Sequence, residues 1–515
     1  MIITRFVVTA LALAAPVLAL AQTATSQGAT GLLPAQATSS SQSSPAVAPV
    51  QALPGLSTPG ATLPGGGLSG LLPNETAQLG QAPANQTLYG IAAGVGETDN
   101  VNLSQTDPKS QTVAATDLDF DLRRTGPAFD AYGLGNFTDL DYLQGAYSNQ
   151  VLGRFDGLAD AKFWSDRLKW TVADDYGEEQ TDPFAAITPV NLERVNLFST
   201  GPDVMLHPSD TTFVALDARY SNMTYQTSPF DGHNLLGSAE VGRLLSPLSA
   251  LSLAVQAEEL RFQNTTVNTD YDRRAAYAHY LIQGARTSID AQLGATQADD
   301  VDASWKTSPL VRLALTRRLS PFSVATLTGG REYTDASGSF GNLSSGAGGG
   351  IVVAPVTQTT ANYLRNYGTA GVDFARLRTT VGFTGSWERD TYDNVESLYD
   401  VTRAAVGVNV ARNLTPQLSA SLSGSVDRYD YFNQNFTNDF GTLGAGLAYR
   451  PGRWFIVYAR YDHAFSRSSG SPAGVPFLGG ISYDENRVFL MVGYRPHSED
   501  MEAGGSPESG GAAAP

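Results

Sequence analysis

The chain has 515 residues, 33 basic against 50 acidic side chains, a formal net charge of −17 and no cysteine. Without cysteine it forms no disulfide, carries no thiolate nucleophile and offers no thiolate ligand for zinc or an iron–sulfur cluster. The acidic balance, with no run of basic residues in the sequence, argues against a nucleic-acid partner.

The first 21 residues have the layout of a secretory signal peptide. Arg5 gives the positive start, Phe6 to Leu18 form an apolar stretch, and Ala19-Leu20-Ala21 is a small-x-small cleavage site. An N-terminal membrane anchor is the alternative, but the apolar run is shorter than the ~20 residues that a spanning helix needs. We therefore expect residues 1–21 to be removed on secretion.

Two low-complexity segments flank the rest of the chain. Gln22 to Asn85 is built mainly from Ala, Ser, Thr, Gln, Pro and Gly with Glu75 as its only charge, and residues 496–515 have a similar character. Such segments carry too few bulky apolar side chains to offset the entropy of ordering them. We predict a disordered periplasmic extension at 22–85, either a plain linker or a tether to a periplasmic partner, and a disordered tail at 496–515.

Between these segments, residues 86–495 alternate apolar and polar side chains with the period of two that indicates β-strands. One face of each segment carries charge: Asp117, Asp119, Asp121 and Arg123; Arg154, Asp156, Asp160 and Lys162; Asp217 and Arg219. The other face is apolar: Leu118, Phe120 and Leu122; Val151, Phe155, Ala159, Ala161 and Phe163; Val214, Leu216, Ala218 and Tyr220. A soluble sandwich also alternates, but its strands are shorter, about 5–6 residues, and poorer in Gly and Tyr.

Short polar turns recur along this region and divide it into pairs of strands. They fall at Thr125-Gly126-Pro127, Ser165-Asp166-Arg167, Leu206-His207-Pro208, Leu245-Ser246-Pro247, Gly284-Ala285-Arg286, Leu319-Ser320-Pro321, Arg376-Leu377-Arg378, Leu414-Thr415-Pro416 and Arg450-Pro451-Gly452. Nine turns imply eighteen strands, and strands at Thr87 to Glu97 and Asp484 to Arg495 make twenty. An even-numbered meander with short turns at one end predicts an all-β, transmembrane antiparallel β-barrel of about 20 strands (range 18–22) with periplasmic termini. Its location is then the outer membrane of a Gram-negative bacterium, where closure leaves no sheet edge in lipid.

Charged and aromatic side chains are distributed unevenly between the two ends of these strands. Arginines recur beside the short turns, whereas acids collect in the predicted long loops, as at Asp299, Asp300 and Asp302 or at Glu388, Asp390, Asp393 and Glu396. Aromatic residues near strand ends fit interfacial girdles: Tyr142, Tyr220, Trp387, Tyr449, Trp454 and Tyr458.

The last strand has an outward stripe of Val488, Leu490, Val492 and Tyr494. It resembles the C-terminal signal that the outer-membrane barrel assembly machinery reads. In such signals the aromatic usually stands at or near the chain end, whereas here 21 residues follow from Arg495 onward. Val488, Leu490, Val492 and Tyr494 are the candidate assembly signal.

The sequence predicts no catalytic, cofactor-binding or metal site, and no enzyme activity. The five histidines are scattered, at His207, His233, His279, His463 and His497, and Gly346 to Ile351 lacks the Lys-Ser/Thr ending of a phosphate-binding loop. A strand spaces the carboxylates of Asp117, Asp119 and Asp121 about 6–7 Å apart, which is too far for a tight cation site. We therefore predict that they form an acidic stripe in the lumen. Tyr277 and His279 join the charged side chains above as candidate lumen-lining residues, His279 as a hydrogen-bonded wall residue.

Three features resemble the β-barrel porin family of the porin 2 type, whose members are often encoded beside exopolysaccharide-biosynthesis genes. They are Gly96-Glu97-Thr98-Asp99-Asn100-Val101 after the first strand, the repeated Leu-Ser-Pro and Leu-Thr-Pro turns, and the closing Tyr483-Asp484-Glu485-Asn486-Arg487-Val488. The resemblance covers residues 87–495. It implies a role in the export of a secreted polysaccharide, with that polysaccharide and periplasmic export components as partners beside outer-membrane lipid and the assembly machinery.

Two classes of function stay open at this stage. One is a conduit, either a polysaccharide export barrel or a general diffusion porin, because about twenty strands enclose an aqueous lumen unless it is plugged. The other is a surface or structural barrel whose extracellular loops bind a partner. An interior that mixes acids, arginine and aromatic rings suits sugars, although any water-filled barrel has such a lining.

Overall fold

The chain forms one closed antiparallel β-barrel in the computed structural model, which describes residues 85–164, 167–182, 184–266, 268–300, 305–335, 361–392, 394–470 and 482–494. The strands are β1 (Gln86–Thr98), β2 (Gln111–Thr125), β3 (Phe129–Tyr142), β4 (Gln150–Phe163), β5 (Leu168–Gln180), β6 (Leu192–Ser209), β7 (Thr212–Tyr225), β8 (Gly232–Ser246), β9 (Ser249–Phe262), β10 (Tyr271–Gln283), β11 (Thr287–Asp300), β12 (Lys306–Ser320), β13 (Ser323–Thr334), β14 (Tyr363–Arg376), β15 (Thr379–Tyr392), β16 (Val401–Asn413), β17 (Leu418–Tyr431), β18 (Phe436–Tyr449), β19 (Phe455–Ser469) and β20 (Tyr483–Tyr494). Among the described residues, the 3₁₀ helices Pro189–Asn191 and Asn394–Tyr399 lie in loops.

Each strand pairs with the next one along the chain, and the first strand pairs with the last. The closing register runs from Ile91 opposite Tyr494 to Thr98 opposite Arg487. The predicted all-β barrel of about 20 strands is therefore confirmed. The predicted signal peptide, the low-complexity segment up to residue 84 and the tail from 496 lie outside the described residues. No helix in the described part of the chain is long and apolar enough to cross a membrane.

The two faces of the wall differ in the way that the alternation predicts. Leu118, Leu216 and Leu490 are between 42 and 55% exposed on the outside, whereas Asp117 and Arg219 are at most 1% exposed on the inside. Apolar side chains facing outward and charged ones facing inward reverse the pattern of a soluble protein. The outer surface is therefore matched to lipid.

The barrel has a short-turn end and a long-loop end. Strand pairs such as β8–β9 and β12–β13 are joined by two residues at the first end, where β1 also begins and β20 ends. The turn predicted at Leu206-His207-Pro208 is wrong, because β6 continues to Ser209 and turns at residues 210–211. The pairing there is irregular between Leu206 and Ser209, since Pro208 has no N–H for the ladder.

Two further expectations about these ends need correction. Asp299, Asp300, Glu388 and Asp390 lie in strands and not in loops, because β11 and β15 extend further along the chain than the sequence predicts. Tyr142 and Tyr458 are not girdle residues: they share the inward face of their strands and are 4% and 1% exposed. Tyr220, Trp387, Tyr449 and Trp454 do face outward and are 41–46% exposed.

The outward leucines give a direct test of the facing. Leu216→Arg or Leu490→Arg should cost about 2–4 kcal/mol of folding free energy if the position lies near the bilayer midplane, because the charge then faces lipid. Asp217→Arg should be tolerated, since residue 217 faces inward opposite Asp203 of β6. Urea unfolding in vesicles measures the three values. Equal losses at all three positions would contradict the assignment of faces.

Candidate functional site

The candidate lumen-lining residues all stand on the inward face of the barrel. They are Asp117, Asp119 and Asp121 on β2; Arg154, Asp156, Asp160 and Lys162 on β4; Asp217 and Arg219 on β7; and Tyr277 and His279 on β10. Most are held by neighbours in the wall. They therefore form several local networks, spaced around the barrel, and not one site.

The three aspartates of β2 do not form an open stripe. Asp117 is wholly buried and accepts hydrogen bonds from the hydroxyls of Thr138, at 2.7 Å, and Tyr458, at 2.8 Å. Asp119 is 4% exposed, and Asp121 pairs with Arg123 at 2.9 Å. Because Tyr458 comes from β19, this network ties together the region where the barrel closes.

A second network joins β4, β5, β6 and β7 toward the short-turn end. The Lys169 ammonium lies 3.1 Å from Asp160 and 3.2 Å from Asp203, and Arg219 is also paired with Asp203. Nearer the middle of β4, Asp156 accepts a hydrogen bond from the Tyr132 hydroxyl. Near the short-turn end of β4, Lys162 pairs with Asp130 at 2.5 Å.

His279 is a wall residue. Its Nδ1 lies 3.1 Å from Glu240 and its Nε2 lies 3.2 Å from Asp290, so carboxylates of β8 and β11 flank the ring on both sides. No group of three or more His, Cys, Asp or Glu side chains in the described part of the chain is placed to hold a metal ion.

The sequence reasoning missed a longer arrangement on the opposite wall, from β10 to β17. Three arginines pair with carboxylates of the next strand: Arg312 with Glu332 at 2.6 Å, Arg365 with Glu388 at 2.6 Å, and Arg403 with Asp427 at 2.7 Å. Each guanidinium also lies over a tyrosine ring, with distances to the ring centroid of 5.9 Å for Tyr277, 5.0 Å for Tyr367 and 5.3 Å for Tyr429. We call these nine residues the arginine–tyrosine belt. All nine residues stand at inward positions of their strands, and this shared alternation in the sequence could have identified the belt.

Part of the wall between β18 and β4 is apolar. Inward side chains there, with Val101 of the loop after β1, form one buried cluster: Ala92, Val101, Val113, Ala115, Leu140, Tyr142, Leu152, Ala448, Ile456, Tyr458, Phe489 and Met491. Charged residues share this wall, since Asp117, Asp119 and Asp462 are buried on the same inward face.

Aromatic residues ring the long-loop end. Nine of them are the first or last residue of their strand, face inward and are at most 8% exposed: Tyr142, Tyr225, Phe262, Tyr271, Tyr363, Tyr392, Tyr431, Phe436 and Tyr483. We call this set the aromatic collar. Neighbours within it touch, as do Tyr363 and Tyr392, whose ring centroids are 4.7 Å apart.

Residues of the long loops pack onto the collar. The ring of Tyr147, from the loop after β3, lies edge-on to Tyr142 at 5.4 Å. Burial raises the pKa of the Tyr147 hydroxyl above its ordinary value, because the ionised phenolate is poorly solvated there.

The loop between β5 and β6, whose described residues 181–182 and 184–191 we call the 181–191 segment, reaches the far side of this mouth. Its Phe184 ring lies 4.8 Å from Tyr431 and 5.6 Å from Phe436, which belong to β17 and β18. Ala186 packs against the same cluster and also against one formed by Phe440, Ala464 and Tyr483. Ile187 packs on the apolar wall. A single segment therefore contacts several collar residues from inside the mouth.

Asn191 holds the 181–191 segment in this shape. Its side-chain oxygen accepts hydrogen bonds from the Asp182 N–H and the Thr181 hydroxyl, both at 2.8 Å. Its side-chain nitrogen donates to the carbonyls of Asp182, at 3.0 Å, and Ala186, at 3.1 Å. With its side chain 6% exposed and its polar atoms satisfied by the segment itself, Asn191 gives the loop a compact shape.

The candidate assembly signal lies on the outer face of β20. Val488, Leu490 and Val492 are 54–55% exposed, and the Tyr494 ring stacks on Trp454 at 5.9 Å between centroids. Whether the assembly machinery reads this stripe stays a prediction.

Closure, twenty antiparallel strands, an apolar outer surface and a charged interior define the class: the chain is a transmembrane β-barrel of the outer-membrane type. No protein-family model matches it, and no curated protein matches its sequence, so the resemblance to the porin 2 type family stays a prediction.

Among solved structures, the chain is similar to large outer-membrane barrels. The FrpB iron transporter from Neisseria meningitidis is 10% identical over 81% of this chain and 82% of that one, with a TM-score of 0.40. A mutant of the ferric enterobactin receptor from Pseudomonas aeruginosa is 11% identical over 81% of each chain, with a TM-score of 0.42. The siderophore receptor PirA from Acinetobacter baumannii is 9% identical over 81% of each chain, with a TM-score of 0.41. Likeness at this level assigns no cargo.

Proposed function

We propose that this barrel is a conduit for a secreted polysaccharide, closed at its extracellular mouth by the 181–191 segment. The observation that carries the proposal is the pairing of inward tyrosine rings with arginines and carboxylates along the arginine–tyrosine belt, beneath the aromatic collar. Sugars present both apolar faces and hydroxyl groups. Aromatic rings contact the first and charged side chains hydrogen-bond the second, so the lining offers both kinds of contact along one wall.

A conduit for a polymer needs many weak contacts, because one tight site would hold the chain in place. The belt is built in this way: its arginines already have carboxylate partners and ring contacts. Each is therefore positioned without a ligand, and each offers only its remaining donors to a passing sugar. The buried collar fits the same proposal as the surface that a polymer meets when the mouth opens.

The functional test is a deletion of the gene in its own bacterium. We expect less cell-free polysaccharide and unchanged uptake of small nutrients, because the closed mouth excludes diffusion. Single belt substitutions, such as Tyr277→Ala, should lower secretion only slightly, and the combination of Tyr277→Ala, Tyr367→Ala and Tyr429→Ala should lower it severalfold. Unchanged secretion in the deletion strain would contradict the proposal.

A general diffusion porin for small solutes is the second candidate, and the excess of inward carboxylates favours it. Inward Asp and Glu outnumber inward Arg and Lys along the strands, so an open lumen attracts cations through its field, an effect that salt weakens. Slower permeation of small solutes in the deletion strain, with unchanged polysaccharide, would favour this candidate. A barrel without conductance and without an effect on secretion would favour a surface protein.

The proposal includes the flanking segments. Deleting residues 22–85 after the signal peptide should leave the barrel assembled, because the first strand of the described barrel begins at Gln86. If that segment docks a periplasmic export component, secretion should fall although the barrel remains in the outer membrane.

A further inference from the structure

The short-turn end of the barrel carries a rim of exposed arginines. Seven of them stand in or beside its turns: Arg124, Arg167, Arg243, Arg286, Arg376, Arg378 and Arg412. Each is exposed, and no described carboxylate lies within salt-bridge distance of any of the seven. The rim is therefore basic, although the chain as a whole carries a net charge of −17.

Three of these arginines form a compact patch. Arg376 ends β14 and Arg412 lies near the end of β16, and both are in register with Thr379 at the start of β15 between them. Arg378 lies in the two-residue turn that joins β14 to β15. The side chains of Arg376 and Arg412 have the outward parity of their strands, the face that carries Phe374 and Val408. The patch thus lies where the apolar outer surface of the barrel meets its short-turn end.

The turn residue between these arginines is unusual. Leu377 is 97% exposed and has a φ of 53°, in the left-handed region where glycine or asparagine is normal at a hairpin turn. A fully exposed leucine in this conformation gains nothing from packing within the chain. Nearby Phe322 is 44% exposed beneath the Arg376 guanidinium, 5.5 Å from its ring centroid, and Leu414 is 45% exposed. Apolar tips and free guanidinium groups therefore alternate on one surface.

Several arginines near the long-loop end are arranged differently. There, Arg261 pairs with Glu259 and Asp272 at 2.7 and 2.8 Å, Arg467 pairs with Asp484 at 2.7 Å, and Arg428 lies 3.6 Å from Asp439. These three guanidinium groups are thus neutralised by the protein, whereas Arg274 and Arg389 near the same end lie over aromatic rings. Those of the patch at the short-turn end are left for an external anion.

We infer that Arg376, Arg378 and Arg412 bind the phosphate headgroup of an anionic phospholipid in the periplasmic leaflet of the membrane. Planar guanidinium groups bind phosphate oxygens through paired, charge-assisted hydrogen bonds. Leu377, Leu414 and Phe322 contact the region where headgroup meets acyl chain, which explains why they stand exposed. A free phosphate ion satisfies the charge alone, whereas a phospholipid satisfies both the charge and the apolar tips.

The test uses the full-length barrel in detergent with added phosphatidylglycerol, followed by native mass spectrometry. Each arginine near an anionic surface contributes about fivefold in affinity, so Arg376→Gln with Arg378→Gln and Arg412→Gln should weaken lipid retention by about 100-fold. The control pair Arg428→Gln and Arg467→Gln removes two exposed arginines at the other end and should leave retention unchanged. Equal losses in the two variants, or no loss in the triple variant, would overturn the inference.

Two further measurements separate the possible sources of phosphate and the role of the apolar tip. If added inorganic phosphate abolishes lipid retention, or raises the melting temperature of the wild type as much as phosphatidylglycerol does, the patch is an ion site and the inference fails. Leu377→Gly should raise the melting temperature in lipid-free detergent, because glycine adopts the left-handed turn without strain. In phosphatidylglycerol vesicles the same variant should lose part of the stabilisation that the lipid gives the wild type. A gain of equal size in both media would contradict the lipid contact.

Discussion

Arg273→Met should destabilise the barrel more than any other single substitution discussed above, by about 3–5 kcal/mol, because it leaves buried carboxylates without their cation. The Arg273 guanidinium lies 2.7 Å from Glu258 and 2.8 Å from Asp335, and the three side chains are only 2–5% exposed. Asp335 also accepts a hydrogen bond from the Tyr271 hydroxyl at 2.6 Å. The substitution therefore also loosens the point where the loop after β13 is fastened to the collar.

The adjacent arginine is the matched control. Arg274 faces outward, is exposed and lies over the Trp305 ring at 4.2 Å from the centroid, so Arg274→Met should cost less than about 1 kcal/mol. Urea unfolding followed by tryptophan fluorescence compares the two variants. Adding Glu258→Gln and Asp335→Asn to Arg273→Met should recover most of the loss. Similar costs at 273 and 274 would show that Arg273 is not an essential partner.

The strand pattern was readable from the sequence because each barrel strand meets two constant environments. Lipid on one side and the interior on the other impose a period of two, so Leu216 and Asp217 reveal their faces without knowledge of the neighbouring strands. The short turns were readable for a similar reason, since Pro, Gly and Ser recur at fixed separations. The turn after β6 was misplaced by a few residues because Pro208 marks an irregular strand end and not the turn itself.

Contacts made inside the barrel were not readable in this way. Tyrosine near a strand end suits an interface, so the sequence predicts Tyr142 and Tyr458 as girdle residues, although their inward parity distinguishes them. The same parity would have identified the aromatic collar, because its members are inward aromatic residues at strand ends. The reach of the 181–191 segment is different. It depends on a contact between Phe184 and Tyr431, nearly 250 positions apart in the chain, and no local pattern encodes such a pair.

Charged residues near the strand ends were also hard to place from the sequence alone. Glu388 and Asp390 were assigned to a loop because acids are common there, but they stand inside β15, where Glu388 completes a pair with Arg365. Inward carboxylates of this kind line the interior of the barrel. The acidic interior therefore originates in the wall itself, so opening the mouth exposes it without any change in the loops.

Loosening the 181–191 segment should open the barrel. Asn191→Ala removes several hydrogen bonds that hold the segment together, each worth about 1 kcal/mol, and should raise the open fraction by at least about tenfold. In planar bilayers we expect rare openings for the wild type, frequent ones for the variant, and a preference for cations that high salt weakens. Asn102→Ala is the control, because Asn102 makes similar hydrogen bonds, to the Asp107 carbonyl and the Lys109 N–H, in a different extracellular loop.

A thiol pair tests whether the contact across the mouth is what closes it. The chain has no cysteine, so Phe184→Cys with Tyr431→Cys introduces the only two thiols, at positions whose native rings are 4.8 Å apart. Oxidation in the Asn191→Ala background should suppress the openings, and reduction should restore them, because the link holds the segment against β17. If Asn191→Ala conducts no more than Asn102→Ala, or if the oxidised pair still conducts, the 181–191 segment does not close the mouth. Anion preference in the open state would instead contradict the acidic lining.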